Sequence, residues 1–282
     1  MKSAQAAGLN RKDSVPSLFE PFRPLNEPIR SWAGRTVWLV GGSEGIGLAL
    51  GRELLAKGAR LVVSARRADR LVEAFPESNV YKLACDVAAT ESLREACATL
   101  AKASLIPDVV FWVAGVYSPM KSHDFNPNEA ETTLRINLLS CYYGLHEVLK
   151  IWKENPSAHR KPHWAWVSSV AGYRGLPLAM AYGAGKAALN QLAEINYLEL
   201  RPRGIGVSLV LPGFVKTRLT DQNDFEMPAL LSPEEAARFI MMGLAKGDFE
   251  IHFPRRFTLF LKLLRCLPYG LYFRLVGRLR QG

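Results

Sequence analysis

In the stretch SSVAGYRGLPLAMAYGAGKAALNQL, residues 168–192, a phenol and an amine stand four positions apart, Tyr182 and Lys186. At helical spacing such a pair shares one face. Gly183, Ala184 and Gly185 between them leave room for a ligand to press close. A phenol titrates near 10 and is alone a poor proton donor or acceptor at neutral pH. An ammonium about 5 Å away, at an effective dielectric of about 20, favours the phenolate by roughly 3 kcal/mol, or about two pKa units. In bulk water the same pair gives under about one unit. Proton transfer through Tyr182 therefore calls for a close, partly desolvated Lys186. Ser169, thirteen residues before Tyr182, lies at the end of an expected strand and could converge on the pair.

The elements that must position these groups show in the hydrophobic pattern. Short apolar runs rich in β-branched and aromatic residues occur at 36–41, 60–65, 80–85, 108–114, 163–169, 206–212 and 249–253. Helix-compatible segments lie between them, for instance at 45–57, 90–102, 134–153 and 180–200. Runs apolar nearly throughout imply a parallel sheet covered on both faces. The expected fold is a single-domain, Rossmann-like, doubly wound α/β architecture of about seven strands. One helix start is well marked: Ser232 can cap, Pro233 suits the first position and Glu235 completes a capping box, predicting a helix over about 233–245.

The turn after the first strand reads VGGSEGIG, residues 40–47. Gly41 to Gly45 fit the G-x-S-x-G elbow that presents a hydrolase nucleophile, here Ser43. Such an elbow normally follows several strands, with its acid and histidine later in the chain, and none of the five histidines sits in a telling motif. The other reading is a dinucleotide cradle made by Gly41, Ser43, Glu44, Gly45, Ile46 and Gly47. Gly41 allows the bend, Gly45 admits a pyrophosphate, and Gly47 permits close helix packing beneath a helix N-terminus. At the end of the second strand an NAD enzyme typically carries an acid; this chain has Ala65 and then Arg66 and Arg67. Guanidinium groups suit a 2′-phosphate, so NADP(H) is favoured over NAD(H), the alternative being that both arginines are solvated helix-entry residues. Glu44 works against a phosphate unless it pairs with one of them.

With these residues in place the chain resembles the short-chain dehydrogenase/reductase family over about 35–253. The resemblance rests on the glycine turn at 41–47, Asp86-Val87 after the third strand, Asn137 in RINLLS, the trio Ser169, Tyr182 and Lys186, and PGFVKT at 212–217. It implies that Tyr182 is the general acid in carbonyl reduction, that Ser169 hydrogen-bonds the reacting oxygen, and that Lys186 holds the nicotinamide ribose and lowers the tyrosine pKa. Asn137 is implied to anchor a water relaying protons to Lys186, and Asp86 and Val87 to flank the adenine. Ala114 and Gly115, with Pro212, Gly213, Val215 and Thr217, complete the implied cofactor contacts. Two positions depart from the family: Val40 replaces a threonine, and WVAG at 112–115 replaces N-N-A-G. Both put local hydrogen bonding in question more than catalysis. A homodimer or homotetramer through the 134–153 and 180–200 helices is also implied.

Composition bounds the rest. The four cysteines form no C-x-x-C pair, so neither a disulfide framework nor a zinc ribbon is indicated, and no metal is expected. No secretory h-region and no run of about 18 apolar residues is present, and a cytoplasmic location is expected. Residues 1–33 read as a proline-rich arm, either on the surface or disordered, and 34–254 as the catalytic domain. Much of the net charge of +10 sits in 255–282, which carries Arg255, Arg256, Lys262, Arg265, Arg274, Arg278 and Arg280 and no acid. Nucleic-acid binding is therefore not needed to explain the charge. In that segment Leu259, Phe260, Leu263, Leu264 and Leu267 are expected on one helical face, opposite Lys262 and Arg265, and Leu271, Leu275 and Leu279 on another. Such a stripe could pack on protein, the favoured reading, or lie in an anionic membrane surface. With the apolar segment 227–231 it suggests a lipid-like substrate. A nonenzymatic NADP(H)-binding scaffold remains the rival from another class.

Overall fold

A computed structural model of the chain describes residues 24–156, 160–222 and 227–278. Its strands are β1 Thr36–Val40, β2 Arg60–Ala65, β3 Tyr81–Ala84, β4 Val109–Trp112, β5 His163–Val167, β6 Gly206–Pro212 and β7 Glu250–Phe253. They form one seven-stranded sheet in the order β3-β2-β1-β4-β5-β6-β7, with every neighbouring pair parallel. Around it lie α1 Gly45–Ala56, α2 Ala68–Ala74, α3 Thr90–Lys102, α4 Pro127–Leu134, α5 Ser140–Glu154, α6 Met180–Leu200, α7 Pro233–Lys246, α8 Arg255–Arg265 and α9 Tyr269–Arg278.

Successive strand residues point to opposite faces, so each apolar strand feeds two cores. Trp38 and Val40 of β1 join Leu93, Leu100, Val148 and Leu189 on one side. Val37 and Leu39 join Leu50, Leu54, Ile240 and Leu244 on the other. The strand order reverses between β1 and β4, which opens a crevice beyond their carboxyl ends. At that seam Val113 and Ala114 both donate backbone N–H groups to the Val40 carbonyl, 2.9 Å each. Backbone bonds thus brace the loop where the family's polar side chains are missing. Trp112 stacks on Trp164 at 5.8 Å and fits against Gly144, where a Cβ would meet its ring at 2.1 Å.

The expected helix over 233–245 is α7, and its capping box is formed on both sides by Ser232 and Glu235. Two other expectations are corrected. The helix expected from 134 starts at Pro127, because Asn126 accepts from the Asn128 N–H and Pro127 occupies the first position. It then passes through a π-turn, Arg135–Leu139, into α5. Nor is the described part of the N-terminal arm superficial. Ile29 and Trp32 are buried, and the Asn26 side chain donates to Val207 O at 2.8 Å while accepting from Val207 N. Apolar residues set among prolines were masked by the polar composition around them. Residues 1–23 lie outside the described residues.

α8 packs with a different face from the one expected. Phe257 and Leu261 rest against the domain core and Thr258 is buried, whereas Leu259, Phe260 and Leu263 are exposed. Lys262, placed on the solvent side from sequence, instead pairs with Glu250 of β7. In α9 the buried residues are Tyr272 and Val276, with Leu271 and Leu275 exposed; Leu279 falls outside the described residues.

Candidate active site

The crevice is a cleft of about 570 Å³, within the range of small-molecule and cofactor sites. It runs from α2 to α6 and is lined by Gly41, Ser43, Glu44, Gly45, Ile46, Arg66, Arg67, Asp86, Val87, Ala114, Gly115, Ser169, Tyr182, Lys186, Pro212, Gly213, Val215 and Thr217. Gly47 and Asn137, also named from sequence, stand behind this lining. Gly41 has φ +93° and its Cβ would lie 2.6 Å from the Ala114 nitrogen; a Cβ on Gly47 would lie 2.0 Å from the Gly41 carbonyl oxygen. The turn can therefore be built only from backbone. It leaves the first amides of α1 facing the cleft, a fit for a phosphate.

At the far end, β5 delivers Ser169, whose Oγ accepts from Ala171 N at 3.1 Å, and α6 delivers Tyr182 and Lys186 on one face. The Lys186 Nζ lies 5.7 Å from the centre of the Tyr182 ring and donates to Val167 O at 3.0 Å. Burial lowers the Lys186 pKa to about 8. Tyr182, by contrast, is raised by burial, against the pull of the neighbouring Ser169 hydroxyl. This corrects the expected direction. The amine is desolvated too, its charge is weakened, and it points at a carbonyl, so desolvation of the phenol wins. Tyr117, overlooked in the sequence, packs edge-on to Tyr182 at 5.1 Å and adds to that rise.

Asn137 sits in the π-turn, fully buried. Its Oδ1 accepts from Val116 N at 2.9 Å and its Nδ2 donates to Val116 O at 2.7 Å. Its amide therefore clamps the segment after β4, each end keeping one further hydrogen-bonding position, a second lone pair on Oδ1 and a second N–H on Nδ2. Asp86 combines turn and lining roles, since its Oδ1 accepts from Ala88 N at 3.0 Å.

The opposite end of the cleft is cationic. Arg66 and Arg67 are joined there by Arg52 of α1 and Arg70 of α2. Arg52 lies seven residues after Gly45 in α1, a helical spacing that could have revealed it. Glu44 pairs with neither Arg66 nor Arg67 but with Arg218, at 2.8 Å. The segment after β6 crosses the glycine turn, where a Cβ on Gly45 would meet Thr217 at 2.9 Å. That tertiary approach has no local sequence signal. Among the described residues no histidine lines the cleft beside Ser43, where an elbow nucleophile would need its base.

Comparison with known proteins agrees with this geometry. The family model described as short chain dehydrogenase matches residues 35–227. An uncharacterized oxidoreductase of Myxococcus xanthus is 30% identical over 87% of this chain and 98% of its own length. A 3-ketodihydrosphingosine reductase of Bos taurus is 29% identical over 84% of this chain and 74% of its own. A Pseudomonas aeruginosa rhamnolipid-biosynthesis 3-oxoacyl-[acyl-carrier-protein] reductase is 28% identical over 68% and 77%. Among solved structures, a Burkholderia cenocepacia short chain dehydrogenase in complex with NADP superposes with a TM-score of 0.76 at 21% identity, covering 87% of this chain and 99% of that one. A Burkholderia phymatum short chain dehydrogenase/reductase in complex with NAD gives 0.75 at 19% identity, covering 83% and 94%. The sheet order, the glycine turn and the Ser169, Tyr182 and Lys186 cluster thus stand in a chain that belongs to the short-chain dehydrogenase/reductase family of oxidoreductases.

Proposed function

We propose that this enzyme reduces a ketone on an apolar, lipid-like molecule using NADPH. The observation that carries the reading is the polarity of one continuous cleft, with a desolvated phenol, amine and hydroxyl at one end and guanidinium groups at the other. Gly41, Ser43, Glu44, Gly45 and Ile46 would hold the diphosphate, and Asp86 and Val87 the adenine side. Arg66 and Arg67, helped by Arg52 and Arg70, would hold a 2′-phosphate. When bound, the dinucleotide supplies the hydride. Ser169 Oγ donates a hydrogen bond to the substrate oxygen, and the Tyr182 hydroxyl gives its proton to that oxygen as negative charge develops. Lys186 Nζ, within reach of the cleft, holds the ribose and stabilises the phenolate left behind. Ala114, Gly115, Pro212, Gly213, Val215 and Thr217 shape the nicotinamide end. The raised Tyr182 pKa suits the acid role, because the phenol stays protonated until a charge appears opposite it.

The lipid-like substrate is supported by the names of two relatives, a sphingoid-ketone reductase and an acyl-carrier ketone reductase. A homodimer or homotetramer is supported by exposed apolar residues on the helices expected to mediate it, Tyr142 and Tyr143 of α5 and Ile195 and Leu198 of α6. A cytoplasmic site is supported by Cys85, Cys97 and Cys141, all free and buried. A panel of short and long β-keto and sphingoid-type ketones, followed by NADPH absorbance, tests the substrate reading. Long-chain preference is expected, and equal turnover of short and long ketones would count against it.

A further inference from the structure

We propose that the α8–α9 hairpin docks in the plane of an anionic lipid bilayer, beside the reaction cleft. Leu263 and Tyr269 are each 70% exposed, Phe273 61%, Phe260 56% and Leu259 50%. Soluble surfaces rarely group so many large apolar side chains, and a patch of this kind marks an interface. On α8, Leu259, Phe260 and Leu263 share the exposed arc with Arg255 and Arg256, whose long side chains can carry their charge to headgroups beside inserted apolar groups. Arg265 and Arg274 add exposed cations, and residues 251–282 contain no acid. This charge selects the occupant. A second copy meeting the same face would bring arginines against arginines, whereas anionic headgroups meet them with opposite sign. Among the described residues no helix is long and apolar enough to cross a membrane, so the contact is peripheral.

The hairpin is held rigidly to the reaction end. The Phe257 ring packs at a tilt against Phe214, centroids 5.7 Å apart, in the segment after β6 that lines the cleft. From the segment after Ser169, the Arg174 guanidinium donates to the carbonyls of Leu264, Arg265 and Leu267 at 3.0, 3.0 and 2.7 Å. It also covers the Tyr272 ring at 4.0 Å, while the Tyr272 hydroxyl donates to Gly175 O at 2.7 Å. Arg174 thus satisfies the bare carbonyl end of α8 and fixes α9 to the loop that follows the catalytic serine. An apolar substrate leaving the bilayer would meet the enzyme at this end.

Vesicle flotation of the full chain tests the proposal without any turnover, so its failure and that of the ketone reading are separable. Binding is expected to vesicles of phosphatidylcholine with phosphatidylserine, and to fall about tenfold on pure phosphatidylcholine or in Arg255→Glu with Arg256→Glu. Phe260→Asp with Leu263→Asp is expected to abolish it while leaving NADPH binding intact, since both side chains are exposed and remote from the cofactor turn. Equal binding to both vesicle types, no binding to either, or binding unchanged in the variants would overturn the proposal. A loss of oligomer size in Phe260→Asp with Leu263→Asp, without vesicle binding by the parent, would assign the face to a second copy instead.

Discussion

The two ends of the cleft use charge in opposite ways. At the reacting end, Lys186 and Tyr182 are withdrawn from water, and burial moves both pKa values toward the neutral forms. At the ribose end, Arg67 and Arg70 remain about half-exposed and pair with Asp69 and Glu73. A desolvated group responds strongly to a charge placed beside it and can do chemistry, whereas a solvated one contributes recognition that salt can screen. In the proposed reading, position along one cleft decides which cations act in proton transfer and which select the cofactor.

Lys186→Met breaks the reacting end most severely. Turnover is expected to fall about a thousandfold at saturating NADPH, within the range for loss of acid–base support, as read by single-turnover absorbance. Arg66→Gln with Arg67→Gln attacks the other end. It is expected to raise the KM for NADPH about tenfold, leave that for NADH nearly unchanged, and flatten the salt dependence of the NADPH value.

The smallest effect sharpens the comparison through pH. The folded-state pKa of Lys186 is lowered to about 8, so the unfolded chain binds more protons above that point and stability rises with pH. The Lys186 contribution to this rise is about 1 kcal/mol between pH 8 and 9, read in urea unfolding of the cofactor-free protein as the difference between the parent and Lys186→Met. In both proteins the buried thiols of Cys85, Cys97 and Cys141 oppose it from about pH 8 upward, because unfolded thiols ionise near about 8.5 while burial keeps the folded ones neutral. A parent-minus-Lys186→Met difference that stays flat between pH 8 and 9 would contradict the lowered Lys186 pKa. The exposed arginines of the ribose end should leave this profile unchanged.

Where the chemistry depends on spacing along one element, the sequence was sufficient. Tyr182 and Lys186 share a face because they are four apart in α6, and the glycine turn follows β1 because the apolar run ends there. The capping box of α7 is equally local. What depends on long-range approach was not legible. Arg218 reaches Glu44 only because the segment after β6 folds over α1. The packed face of α8 follows from where β7 delivers it, and periodicity alone chose the wrong side. Ile29 and Trp32 find the core through contacts such as Ile29 N to Leu244 O, which no nearby residue announces. The direction of the Tyr182 pKa was misread for the same reason, because it is set by how deeply both partners are buried rather than by their spacing.

In the proposed reaction the Tyr182 hydroxyl, rather than the cleft as a whole, supplies the proton. Tyr182→Phe removes one oxygen and keeps the ring that packs against Tyr117. NADPH titration by fluorescence should give an unchanged Kd, while ketone reduction under single-turnover conditions should fall by at least about a thousandfold. Turnover within about tenfold of the parent, with NADPH still bound, would exclude Tyr182 as the proton donor.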